Sequence, residues 1–193
     1  MTDSSFTLVY FSILLDILYM GSRNNRMIGY HANDEERCIR FLKDEKYLII
    51  GEDTEYLGKG MYFWEHLHMA KWWKEEKKKD LIVQATVNID NLLDLTNREQ
   101  VEQISNLYNI LNRAIKNRLE KKYNGKNIDI LVGVKLDEIF DSYPEIMSKF
   151  EVVRCQRNYD QFDEPDFFFN TKLTTLCTSI YCVKVVKPIS KRE

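Results

Sequence analysis

The sequence predicts an α+β fold, a mixed β-sheet with flanking helices, from two patterns and their order. Residues 81–89 (LIVQATVNI) alternate apolar and polar side chains, as a strand with one buried face does. Residues 98–123 repeat apolar side chains every three or four positions, which is the spacing of one helix face. Short strands with inserted helices come first and longer strands come last, without the regular alternation of an α/β protein.

The remaining elements follow from short apolar runs and cap residues. Asn33 or Asp34 is the expected N-cap of the first helix, because acidic residues follow it and the helix dipole favours them there. The glycines and acidic residues of 51–60 (GEDTEYLGKG) are typical of a loop. The other predicted elements are strands over 27–32, 61–64, 150–156 and 176–186, helices ending at 43 and covering 65–79, a short apolar run over 47–50, and an acidic, aromatic loop over 158–170.

Composition limits the classes of protein that the sequence fits. The 193 residues predict a single domain over 1–193, with 1–27 as an uncertain N-terminal extension. The formal net charge of −2 lacks the basic excess of a dedicated nucleic-acid binder. The four cysteines contain no C-x-x-C pair, so we expect reduced thiols and no metal site.

The apolar segment over residues 6–20 is too short for a membrane span and contains Asp16. No basic residue precedes it, unlike in a signal peptide. We expect a buried strand or helix there, or translation that begins at Met20 or Met27 instead. The predicted location is the cytoplasm, with no membrane partner.

Two segments combine features of a ligand site. His31 ends a predicted strand just before a helix cap, where a structural role is the ordinary alternative. Gly58 and Gly60 precede an aromatic strand, and glycines let a backbone approach a ligand closely. Tyr62 and, on the next helix, Trp73 offer two faces for stacking a flat ring, although such rings more often enter a core.

In this order, His31 and the run Gly58-Lys59-Gly60-Met61-Tyr62-Phe63 resemble the catalytic core of ADP-ribosyltransferases of the diphtheria-toxin and poly(ADP-ribose) polymerase type, whose motif is G-K-G-I-Y-F. The resemblance covers about residues 28–73 and implies a split mixed sheet and NAD as substrate, without a metal. It implies that His31 donates a hydrogen bond to the adenosine ribose and that the Ala32 backbone holds the nicotinamide carboxamide. Tyr62 and Trp73 would enclose the nicotinamide ring.

The resemblance is incomplete at two positions. Ala70 stands where the polymerases have a serine that binds the carboxamide. Ile180 stands at the third catalytic position, where the family usually has a glutamate that stabilises the positive charge on the ribose. Family members with a hydrophobic residue there attach a single ADP-ribose. Another group could therefore supply this role, and Glu164 is the first candidate, before Asp163 and Gln156.

The resemblance implies a mono-ADP-ribosyltransferase that modifies a macromolecular acceptor, either a protein or a nucleic acid, in the manner of a bacterial or phage toxin. An antitoxin or inhibitor is a further partner of such proteins. A basic helix end around Arg118 and Lys121 keeps nucleic acid open as the acceptor, against the simpler interpretation of a solvated helix end. The alternatives are an NAD glycohydrolase that uses water, and a catalytically silent binding module.

Overall fold

The computed structural model describes residues 25–54, 56–110, 113–123, 132–160 and 175–193. The strands are β1 (Arg26–Asn33), β2 (Gly51–Asp53), β3 (Gly58–Trp64), β4 (Leu81–Asn88), β5 (Leu92–Asp94), β6 (Val152–Asp160), β7 (Thr175–Val183) and β8 (Ile189–Arg192). They form one mixed sheet in the order β5-β6-β7-β3-β1-β4-β8, and β2 pairs with β3 outside this path. The β5–β6 pair is parallel and the other pairs are antiparallel. The predicted α+β class is confirmed.

The helices are α1 (Glu35–Lys43), α2 (Leu67–Glu76), α3 (Arg98–Asn109), α4 (Arg113–Lys122), α5 (Val132–Ser142) and α6 (Pro144–Met147). α1 covers one face of the sheet, where Cys38 and Phe41 pack with Phe63. α2, α3, α5 and α6 cover the other face, which includes Trp64 and Ile180. Both faces of the central strands are therefore buried, because successive side chains of a strand point to opposite sides.

The junction of β1 and β3 is the feature that positions the candidate site. β4 pairs with β1 along its whole length, from Arg26↔Asn88 to Asn33↔Leu81. The register between β1 and β3 consists of one pair, Tyr30↔Trp64. The two strands thus part just where β1 reaches His31.

Most of the predicted elements are present with shifted ends, but two assignments are wrong. The predicted loop over 51–60 is a hairpin, in which Gly51 pairs with Gly60 and Asp53 with Gly58. The predicted single helix over 98–123 is two helices, because α3 ends at Asn109 with Ile110 as its C-cap. Residues 1–24 and most of the predicted loop over 158–170, including Glu164 and Asp163, lie outside the described residues.

α5 was not predicted, and it supports the loop between β2 and β3. The backbone N–H of Val134 donates to the carbonyl of Thr54 at 3.2 Å. Leu136 and Ile139 are buried beneath this loop with Leu57. None of the helices in the described ranges has the length and apolar character that crossing a bilayer requires.

Candidate functional site

A cavity of about 470 Å³ lies where β1 and β3 part, and this volume is within the usual range of small-molecule sites. Its walls come from β1, the β2 hairpin, β3, α2 with the turn after it, and β7. The lining residues are His31, Ala32, Asn33, Gly51, Glu52, Asp53, Thr54, Tyr62, Trp64, Trp73, Lys79 and Ile180. Four segments that are far apart in the sequence therefore meet around one space.

His31 fills the gap between the two strands. Its Nδ1 lies 2.6 Å from the carbonyl oxygen of Tyr62, and because a carbonyl only accepts, Nδ1 carries the proton. The side-chain Nδ2 of Asn33 donates a hydrogen bond to the other ring nitrogen of His31, Nε2, at 3.1 Å. The backbone N–H of Asp34 donates to Asn33 Oδ1 at 2.9 Å, which fixes the orientation of the amide. This chain of bonds specifies a neutral imidazole with a lone pair on Nε2.

Burial reinforces the neutral state of His31. The residue is 8% exposed, and desolvation of the charged form lowers its pKa from 6.5 to about 4. The bond to Tyr62 opposes this shift, while the positive charges of Arg37 and Lys79 add to it. His31 is therefore an uncharged polar group at neutral pH.

Aromatic rings form two sides of the cavity. Tyr62 comes from β3, and its hydroxyl donates to the carbonyl of Gly58 at 2.5 Å, which fixes the ring. Burial raises the pKa of Tyr62, so the phenol stays protonated. Trp73 comes from α2, and its ring centroid lies 5.8 Å from that of Trp64 with a tilt of 52°. Tyr62 and Trp73 both face the cavity from separate elements.

Hydrogen bonds to Asp137 and Lys184 fix the glycine turn before Tyr62. Gly58 has a φ of 71°, and Lys59 donates its backbone N–H to both carboxylate oxygens of Asp137, at 2.9 and 3.1 Å. The buried ammonium of Lys184 donates to the carbonyls of Leu57 and Lys59, each at 2.6 Å. These contacts satisfy the turn's polar groups and fix the start of β3.

Three charged residues line the cavity that no sequence pattern predicts. Glu52 and Asp53 lie on β2, within the segment predicted to be a loop, and Lys79 follows α2. Asp53 Oδ1 accepts from the backbone N–H of Tyr56 at 3.1 Å, and Lys79 Nζ pairs with Asp34 at 2.9 Å. No local sequence signal marks the two acidic residues, because the pairing of β2 with β3 is what brings them to the cavity.

Of the residues predicted for the site, five line the cavity: His31, Ala32, Tyr62, Trp73 and Ile180. Gly58, Gly60 and Ala70 do not. The two glycines shape the turn, and Ala70 is fully buried in the apolar cluster with Trp64 and Met69. Because Ala70 does not reach the cavity, it is not in a position to bind a carboxamide there. Glu164 lies outside the described residues.

The comparisons with known proteins give one distant relative. The chain is 25% identical over 190 residues to an uncharacterized protein (MJ0359) of Methanocaldococcus jannaschii, and the match covers 87% of this chain and 86% of the relative. No family model matches the sequence. No solved structure matches it either. The similarity extends over most of both chains and brings no activity with it.

The chemistry available in the cavity is that of binding and charge stabilisation. Within the described residues, no three His, Cys, Asp or Glu side chains are grouped so that they would hold a metal ion. The cavity offers aromatic faces, a neutral imidazole, an amide, two carboxylates and one ammonium group. This set suits a ligand that carries a flat ring, hydroxyls and an anionic group.

Proposed function

We propose that the protein is a mono-ADP-ribosyltransferase that cleaves NAD at the bond between nicotinamide and ribose. The observation that supports this most strongly is the meeting of His31, Ala32, Tyr62, Trp73 and Ile180 around one cavity. These are five of the positions that the resemblance to ADP-ribosyltransferases assigned to NAD. Nothing in their sequence separation alone requires them to share a space.

The nicotinamide ring would lie between Tyr62 and Trp73, beside the parted edge of β1. Stacking on two rings contributes about 0.5–1.5 kcal/mol per ring pair beyond the burial of area. The peptide groups of Ala32, one residue beyond His31, would bind the carboxamide. Holding NAD rigidly in this position would account for much of the rate acceleration, because the protein takes little covalent part in the reaction.

His31 is given a different role from the one that the resemblance implied. Its Nδ1 proton is used by the Tyr62 carbonyl and its Nε2 lone pair accepts from Asn33 Nδ2, so the imidazole has no N–H left to donate to a ribose. A ribose hydroxyl would instead accept from the second N–H of Asn33 Nδ2, beside the imidazole. The adenosine ribose is thus the part of NAD that fits next to these two side chains.

Ile180 leaves the third catalytic position apolar, and the reaction still requires a counter-charge. When the glycosidic bond breaks, its electron pair goes to the nicotinamide nitrogen and positive charge develops on the ribose. The acceptor's nucleophile then bonds to the ribose carbon and releases its proton. Glu52 and Asp53 are carboxylates in the same cavity. They would stabilise the charged ribose in place of the glutamate, which favours a single transfer over chain growth.

The acceptor is a macromolecule in this proposal, either a protein or a nucleic acid. Support for a nucleic acid from the basic end of α4 is reduced, because Arg118 makes two hydrogen bonds to the carboxylate of Glu138, at 2.8 and 2.9 Å. Lys121 and Lys122 remain exposed at that end. A second candidate, an NAD glycohydrolase, is favoured by the two cavity carboxylates, which would also orient a water molecule.

The test is incubation of the purified protein with NAD labelled in its adenylate part, with and without cell lysate. Label that becomes attached to macromolecules supports the transferase, and digestion by protease or nuclease then identifies the acceptor class. Free labelled ADP-ribose alone supports the glycohydrolase. Intact NAD in every sample would overturn both and leave a silent binding module.

Matched variants connect the result to this cavity. Trp73→Ala is expected to abolish most of the labelling, whereas Trp72→Ala is the control. The Trp72 ring lies 6.0 Å from that of Trp73 but does not line the cavity. Equal loss in the two variants, with both folded, would show that the cavity is the wrong site.

A further inference from the structure

The turn after α2 directs one lysine toward the cavity. Lys78 has a φ of 50°, the left-handed conformation that helices commonly use at their C-terminal end and that usually belongs to glycine. The turn is closed by Lys79 N–H donating to the carbonyl of Lys74 at 2.8 Å and by Lys78 N–H donating to that of Glu75 at 3.2 Å. The chain therefore reverses at Lys78, and the side chain of Lys79 lines the cavity next to Asn33.

Lys79 carries the only positive charge among the described residues that line the cavity. Its side chain is 27% exposed and forms an ion pair with Asp34, which is 50% exposed. Asp34 is the N-cap residue of α1, but its side chain makes no capping hydrogen bond. The ion pair is thus partly open to water, and the Asp34 carboxylate is not needed to cap the helix. Replacing this carboxylate by another anion at Lys79 therefore costs little free energy.

We propose that Lys79 binds the pyrophosphate of the dinucleotide by exchanging the Asp34 carboxylate for a phosphate oxygen. This inference rests on the proposed function, because it names the part of NAD that the cavity's ammonium recognises. Lys79 lies on the same side of the cavity as His31 and Asn33, the side assigned above to the adenosine ribose. The pyrophosphate is joined directly to that ribose, so one ligand reaches all three residues.

Two substitutions have opposite expected effects. Lys79→Met removes the cation and is expected to weaken the binding of NAD and of ADP-ribose by roughly 10–100-fold, the effect of losing a hydrogen bond to a charged group. Asp34→Asn removes the competing carboxylate and retains a good N-cap residue, so it is expected to strengthen the binding of both ligands. If the ion pair served only the fold, both substitutions would weaken binding together.

The experiment is titration calorimetry of the wild-type protein and the variants with NAD, ADP-ribose and nicotinamide, which lacks the pyrophosphate. Lys71→Met, at an exposed lysine of α2, is the matched control and is expected to bind as the wild type does. The expected result is weaker binding of the two pyrophosphate ligands to Lys79→Met, with nicotinamide unaffected. If Lys79→Met does not fold, Asp34→Asn still tests the proposal through tighter NAD binding.

The outcomes separate this inference from the function on which it rests. Wild-type protein that binds NAD, with Lys79→Met binding it equally well, would overturn the role of Lys79 alone. So would weaker NAD binding by Asp34→Asn, or an equal loss of nicotinamide binding in Lys79→Met. Wild-type protein that binds none of the three ligands would overturn the proposed function and this inference together.

Discussion

Acid is expected to destabilise the fold through His31. The folded protein keeps this imidazole neutral with a pKa of about 4, whereas the unfolded chain takes up a proton near 6.5. At a pH between these two pKa values the chain therefore takes up a proton when it unfolds, and the free energy of unfolding decreases as the pH is lowered. The contribution is fully present above the unfolded pKa and is lost progressively as the pH falls toward the folded one.

The magnitude follows from the difference between the two pKa values. A shift from 6.5 to about 4 corresponds to about 3 kcal/mol at its limit. Between about pH 7.5 and about pH 5, roughly 2 kcal/mol of this is lost, because the unfolded chain is mostly protonated and the folded one is not. Most carboxylates titrate below this window, so His31 is expected to account for much of the slope.

The assay is urea unfolding across this pH window for the wild type and for His31→Asn. The asparagine amide takes the place of Nδ1 as the donor to the Tyr62 carbonyl but does not titrate. This variant is expected to be less stable at neutral pH and to lose most of the pH slope. His66→Asn, at an exposed imidazole, is the control that should retain the wild-type slope. Parallel slopes for the wild type and His31→Asn would refute the assignment of a neutral, buried His31.

Three further substitutions test the start of β3 and the end of α1. Gly60→Ala is expected to destabilise the protein by more than about 1 kcal/mol, because the backbone φ at this position is 154°. The new Cβ would also approach Cys182 Sγ and lie 2.8 Å from the carbonyl oxygen of Val183. A thermal melt equal to that of the wild type would contradict this expectation. Lys184→Met should remove the ammonium that donates to two turn carbonyls and cost roughly 1–3 kcal/mol in urea unfolding, with Lys187→Met as the exposed control. Equal losses in the two variants would contradict this expectation. Arg192→Met should destabilise the end of α1 and speed amide hydrogen exchange there, because its guanidinium donates to one carbonyl in the last turn of that helix and to three just beyond it. Unchanged exchange in α1 would count against this contact.

Elements with strong periodicity were predictable from the sequence. The alternation over 81–89 became β4, and the acidic residues after the predicted N-cap became the start of α1. β2 was missed because three residues carry no periodicity, and glycine and acidic residues are uncommon in strands. Its pairing with β3 is a tertiary effect. The break after Asn109 was missed because the apolar spacing continues across it and neither glycine nor proline marks it.

The candidate site was predictable only where a motif marked it. His31 and Tyr62 were found from local residue patterns, and the structure brings both to one cavity with Trp73. Asp53 and Lys79 had no such signal, because a hairpin register and a left-handed turn bring them there. Ala70 does not have the predicted position beside the ligand, because its place on α2 buries it in the core and away from the cavity.

All three tryptophans of the chain, Trp64, Trp72 and Trp73, lie in one contiguous group of rings, of which those of Trp64 and Trp73 line the cavity. Their ring centroids are 5.8 and 6.0 Å apart along the group. The tryptophan emission of the protein therefore originates at this single place. An aromatic compound that enters the cavity would quench or shift that emission. Tryptophan fluorescence of the unlabelled protein can therefore be used to screen for ligands.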